Sequence, residues 1–117
     1  MLRLPPTVRV YFCVEPTDMR KSFDGLSGMV TGVIRQNPLS GHLFVFRNRR
    51  GNSVKLLYWD SDGYAIWYKR LEKGTFPIPN IAADGRVDRR DLSMMLEGFD
   101  LAKVRRRKRY QTSRDYS

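Results

Sequence analysis

Residues 42–70 read HLFVFRNRRGNSVKLLYWDSDGYAIWYKR, and this stretch decides the fold. It holds three runs rich in β-branched and aromatic residues, 42–48, 53–59 and 64–70. The breaks between them are Arg49-Arg50-Gly51-Asn52 and Asp60-Ser61-Asp62-Gly63, each with a glycine available for a positive-φ turn position. Connections this short force neighbouring strands to run antiparallel, so the segment predicts a three-stranded meander. If the first hairpin turns about Arg50-Gly51 and the second about 60–63, two side-chain sets result. One face collects Leu43, Val45, Val54, Leu56, Tyr58, Ala65 and Trp67, with Arg47 and Lys69 toward its end. The other collects His42, Phe44, Phe46, Lys55, Leu57, Trp59, Tyr64, Ile66, Tyr68 and Arg70. A one-residue slip would regroup both sets.

Upstream, residues 8–14 predict a short strand closed by Glu15-Pro16. Proline disfavours helix in the residue before it, so the next element starts later, with Thr17 or Asp18 as N-cap. Met19, Phe23, Leu26, Val30, Val33 and Ile34 then recur at helical spacing, which predicts one long amphipathic helix ending before Asn37-Pro38. Gly25, Gly28 and Gly32 each cost such a helix about 1 kcal/mol relative to alanine and suggest close approach of a neighbour. Downstream, Gly74 and Phe76-Pro77-Ile78-Pro79 break regular structure, and 80–86 reads as loop. A short helix follows: Asp88 caps it, Val87 and Leu92 form an apolar staple, Leu92, Met95, Leu96 and Phe99 make the buried stripe, and Gly98 stops it. The expected fold class is α+β: a three- to four-stranded antiparallel sheet packed by one long helix, with a short C-terminal helix and a basic tail. Residues 1–100 form a single domain and 101–117 a tail.

The 117 residues carry 22 Lys and Arg against 12 Asp and Glu, a formal charge of +10. That excess favours a polyanionic partner, because cations that meet phosphates release condensed counterions. Residues 103–117 hold seven cationic side chains against Asp115 alone, so this end carries +6 and the rest of the chain +4. No apolar run approaches the ~20 residues of a membrane-spanning helix, and no secretory signal opens the chain. With one cysteine, Cys13, and no Cys or His cluster, the chain reads as a soluble, reduced, cytoplasmic protein without structural zinc.

Two groups of cations are candidate phosphate ligands. The first is the meander's own: Arg47, Arg49, Arg50, Lys55, Lys69 and Arg70, with guanidiniums suited to phosphate through their planar fork. The second is the dense run Lys103, Arg105, Arg106, Arg107, Lys108 and Arg109, which repels itself and should be mobile without a partner. The aromatic face of the meander, interspersed with cations, has the chemistry of a base-stacking platform; Trp59 and Tyr68 on that face, and Trp67 on the other, are candidate stacking or partner contacts. The competing reading is that these aromatics are core and that the charged turn is simply solvated. A membrane target for the basic run lacks an adjoining apolar helix face or lipidation signal.

Catalysis has little to stand on. Asp60, Asp62 and Glu72 could hold Mg²⁺ in a nuclease, but Asp-Ser-Asp-Gly is also ordinary turn chemistry. His42, the sole histidine, has no evident acid–base partner, and Cys13 sits in an expected strand. No cofactor is implied.

Longer motifs add a resemblance. DMRKSFDGL (18–26), GHLFVFRNRRG (41–51), KLLYWD (55–60), Gly63, YKRLE (68–72) and Phe76-Pro77 occur in the order found in the TnpB (Orf2-like) accessory proteins of the insertion-sequence-66 (IS66) transposon family. The chain closely resembles that family over residues 5–100, and the basic run lies outside the match. The resemblance implies a bacterial mobile-element protein that assists transposition beside a separate, larger DDE-type transposase, with no catalytic residues to carry across. The resulting expectation is a non-enzymatic DNA-binding accessory factor, sequence-tolerant because it grips backbone. The rivals are an adaptor docking on the transposase and a metal-dependent nuclease.

Overall fold

The computed structural model describes residues 4–98. Within them the meander forms as β2 (Leu43–Arg47), β3 (Ser53–Asp60) and β4 (Gly63–Arg70). Its register is the one anticipated: Phe44↔Leu57, Phe46↔Lys55, Lys55↔Tyr68 and Trp59↔Tyr64 on one face, Val45↔Leu56, Leu56↔Trp67 and Val54↔Lys69 on the other. At the first turn Gly51 takes φ +76°, and its N–H donates to the Asn48 carbonyl. The Asn48 side chain ties the turn, accepting from Ser53 N–H at 3.0 Å and donating to Asn52 Oδ1 at 2.8 Å. The second turn differs from expectation. It is two residues long, the left-handed position falls on Ser61 (φ +47°), and Gly63 is the first residue of β4. Closing the ladder at Asp60↔Gly63 extends the pairing, which offsets the roughly 1 kcal/mol cost of a left-handed serine.

The sheet is five-stranded and mixed, in the order β4-β3-β2-β1-β5, in place of the expected antiparallel sheet of three or four strands. β1 (Val10–Phe12) lies parallel to β2, with Val10↔Leu43 and Phe12↔Val45. The long connection between them carries a helix, and a helical crossover is what permits parallel neighbours. β5 (Arg86–Val87) arises in the segment read as loop and pairs antiparallel with β1. It is entered through a tight turn in which Gly85 (φ +88°) donates to the Ala82 carbonyl.

The single long helix is also corrected. α1 spans Phe23–Met29 and continues as a wider π-type turn over Val30–Ile34, ending on a left-handed Arg35 (φ +64°). Neither Thr17 nor Asp18 caps it. Ser22 occupies the cap position, and the Asp18 carboxylate instead captures Arg20. The helix start is displaced because the carbonyls of Met19 and Lys21 both accept from the Lys55 ammonium, each at 2.7 Å, and hold that segment out of helical geometry. A Cβ on Gly28 or Gly32 would meet nothing within 4 Å, so no neighbour approaches there.

Two cores lie on opposite faces of the sheet. Leu26 and Val30 of the helical segment pack on Tyr11, Cys13, Phe44, Phe46 and Leu57. The helical segment therefore covers the aromatic face of the meander. The other face, with Val10, Val45, Val54, Leu56 and Val87, is closed by Phe76 and α2 (Arg89–Leu96). α2 follows the sequence reading: Asp88 caps it by accepting from Arg90 N–H at 2.8 Å, Leu92, Met95 and Leu96 are buried, and Gly98 takes φ +87°. Phe99 and residues 101–117 lie outside the described residues.

Candidate nucleic-acid interface

The turn between β2 and β3 and the end of β4 meet at one end of the sheet. The ladder pairs Val54 with Lys69 and Ser53 with Arg70, and Leu71 N–H donates to the Asn52 carbonyl at 2.8 Å. Arg49, Arg50, Lys69 and Arg70 are all exposed there. Arg70 faces Glu72 at 3.7 Å with both side chains open to water, a pairing worth little. Arg49, Arg50 and Lys69 have no ion-pair partner among the described residues.

Two of the six meander cations are turned inward. The Arg47 guanidinium donates from Nε and Nη2 to the Phe76 carbonyl at 3.0 and 2.9 Å, and burial pushes its pKa down. It also packs against Gly51, where any Cβ would collide with it. Lys55 is buried beneath the ring of Tyr68, its Nζ 4.8 Å from the ring centroid. Both cations satisfy backbone carbonyls that the fold would otherwise leave without donors.

The segment that the sequence reading placed at the start of the helix joins this end. Thr17 N–H donates to the Arg47 carbonyl at 2.9 Å, and residues 16–19 line an open cleft opposite Asn48, Arg49 and Arg50. Asp18 and Arg20 form a forked pair (Oδ2 to Nη2, 2.6 Å), which holds the Asp18 carboxyl down to about 2. Lys21 is exposed beside them. Sequence reasoning missed Arg20 and Lys21 as members of this basic end. The signal lies in the motif DMRKSFDGL, whose cations fall outside the apolar helical stripe.

The aromatic platform is not continuous. Trp59 packs edge-on against Tyr64 with centroids 5.1 Å apart, and Trp67 lies half-buried against the core closed by α2. Tyr68 alone of the three is exposed, at 50%. The carboxylates weighed for a metal are separated: Asp60 and Asp62 flank the β3–β4 turn, whereas Glu72 lies beyond the other end of β4. Among the described residues no group of three His, Cys, Asp or Glu side chains is placed to hold a metal ion. His42 Nδ1 accepts from Arg9 N–H at 2.9 Å, and burial with Arg9 and Arg86 nearby lowers its pKa. Burial raises that of Cys13, which keeps the thiol protonated. Lys103, Arg105, Arg106, Arg107, Lys108 and Arg109 lie outside the described residues.

Comparison with known proteins places this geometry in context. The family model described as "IS66 Orf2 like protein" matches residues 8–106. The chain is 38% identical over 101 residues to the uncharacterized protein y4hO of Sinorhizobium fredii, covering 86% of this chain and 88% of that one. It is 30% identical over 102 residues to the uncharacterized protein y4jC of the same organism, covering 86% of each. No solved structure matches it. Among the described residues no helix is long and apolar enough to cross a membrane.

Proposed function

The chain belongs to the IS66 Orf2-like family, and from that membership we propose that it is a non-enzymatic nucleic-acid-binding accessory protein that assists the element's transposase. The observation that carries the reading is the gathering of Arg49, Arg50, Lys69 and Arg70 at one end of the sheet with their charged ends in water. Arginine forks on a tight turn suit phosphate oxygens, and such contacts position a protein on a strand without reading sequence. The run at 103–109 adds six further cations and extends the same electrostatic grip. Arg47 and Lys55 are left out of the phosphate-binding set, because each already serves backbone carbonyls. Docking on the transposase through Trp59 and Trp67 is the weaker reading, since both indoles are engaged in packing.

The test is titration of the full chain against element-end and random duplexes at several salt concentrations. Affinity should fall log-linearly with salt, with equal slopes on both duplexes. Replacing Arg49 and Arg50 together by Ser should reduce the slope by about 0.9 for each phosphate that the pair neutralises. A salt-independent affinity, or a slope untouched by the double substitution, would remove this end of the sheet from the interface.

A further inference from the structure

We infer that Tyr68 is a seat for an unpaired base, so that the ligand held at this end of the sheet is a single strand rather than a duplex. The inference rests on the nucleic-acid reading above and names the form of nucleic acid it concerns. Its basis is the way one ring is mounted. The Lys55 ammonium stands 4.8 Å from the Tyr68 centroid and is fixed in place by the carbonyls of Met19 and Lys21. A cation held under one face of an aromatic ring attracts its π-cloud and sets its tilt. Yet half of Tyr68 remains in water, although Tyr64 and Ile66 of the same strand pack into the core beneath the helical segment, and its hydroxyl has no hydrogen-bond partner among the described residues. An exposed aromatic ring backed by a buried cation is organised on one side and vacant on the other.

The surroundings supply what a strand's backbone needs. Arg70, two residues beyond Tyr68, shares its face of the sheet, and Lys21, whose carbonyl helps to hold the Lys55 ammonium, has its own side chain exposed. Single-strand binders combine these two parts, a cationic track for phosphates and aromatic faces on which bases stack regardless of identity. A duplex could use the cations but has its bases stacked inside, where Tyr68 cannot reach them.

The experiment compares three probes of equal length on the full chain at one salt concentration: an oligothymidylate, an abasic strand with the same phosphates, and a duplex. The wild type should bind the oligothymidylate about tenfold tighter than the abasic strand, the worth of one stacked base. Tyr68→Ala should abolish that difference and leave duplex affinity and salt slope unchanged, while Tyr68→Phe should preserve it. The abasic comparison needs no substitution, so it decides the matter even where Tyr68→Ala loosens the packing above Lys55. Equal affinity of the wild type for abasic and thymidine strands would overturn the inference while leaving charge-based binding intact. Failure of all three probes to bind would overturn the nucleic-acid reading itself.

Discussion

Arg47 closes β2 with its guanidinium on the Phe76 carbonyl, while Arg49, two residues on, projects from the turn into water. Substitution should separate the two roles. Arg47→Met removes a charged donor from a part-buried carbonyl and should cost about 1.5–3 kcal/mol in urea unfolding, leaving the salt slope of oligonucleotide binding unchanged. Arg49→Met should do the reverse, with stability within about 0.5 kcal/mol of wild type and a slope lowered by about 0.9, the worth of one phosphate. A lowered slope on Arg47→Met with stability intact would return Arg47 to the binding set. The sequence made the charge of these residues legible and also the face of Arg47, which shares a side with Val45 and Val54. It did not reveal that Phe76 folds back under that face, its N–H on the Gly51 carbonyl at 2.8 Å. Pairings made across so long a loop leave no local pattern. Lys55 misled for a related reason: a cation at an inward strand position normally points past the core, and here backbone carbonyls of a distant segment come to meet it.

At the scale of elements, alternation and turn residues fixed the meander and its register, because period-2 patterning admits only one pairing that buries both apolar sets. The helix was harder. Of its expected apolar stripe, Met19, Leu26, Val30, Val33 and Ile34 reach one and the same core, Met19 from outside the helix, whereas Phe23 is exposed. Helical spacing cannot distinguish a helix from a helix preceded by a loop that happens to keep phase. The parallel placement of β1 was hidden as well, since strand direction depends on the crossover and not on the strand. Where the chain enters β1 and β2, the Leu43 N–H donates to the Arg9 carbonyl and a side-chain bond stands beside it: Arg9 N–H donates to His42 Nδ1, which must be neutral to accept. Its pKa lies below the ordinary 6.5 when folded, so between the two values the unfolded chain binds more protons. Stability from this source is therefore full above about pH 6.5 and is lost as pH falls toward the folded value. Asp18 and Asp84, both lowered, titrate further down. Urea midpoints measured from about pH 7.5 to about pH 5 should fall more for the wild type than for His42→Asn, which keeps an acceptor that does not titrate. Parallel pH profiles for the two proteins would show that the Arg9–His42 bond contributes nothing.

Taken along β4, the meander is electrically lopsided. Arg49, Arg50, Lys69 and Arg70 crowd one end, and Asp60 and Asp62 stand exposed at the other, with β4 between them. Eight strand residues at ~3.3 Å each separate the two ends by about 25 Å. That is about three Debye lengths at physiological salt, but less than one at ~0.01 M. The acidic turn should therefore matter only in dilute buffer, where its field reaches the basic end and weakens the attraction on an approaching phosphate chain. Replacing Asp60 and Asp62 together by Asn removes two negative charges and leaves the Ser61 turn backbone in place. The expected outcome is unchanged oligonucleotide affinity at ~0.15 M and an affinity gain at ~0.01 M, read in the same titrations. A large fall in affinity at either salt concentration would mean that these carboxylates touch the ligand. Mg²⁺-dependent cleavage of plasmid abolished by the same double substitution would revive the nuclease reading, against a geometry that leaves Glu72 at the far end of β4.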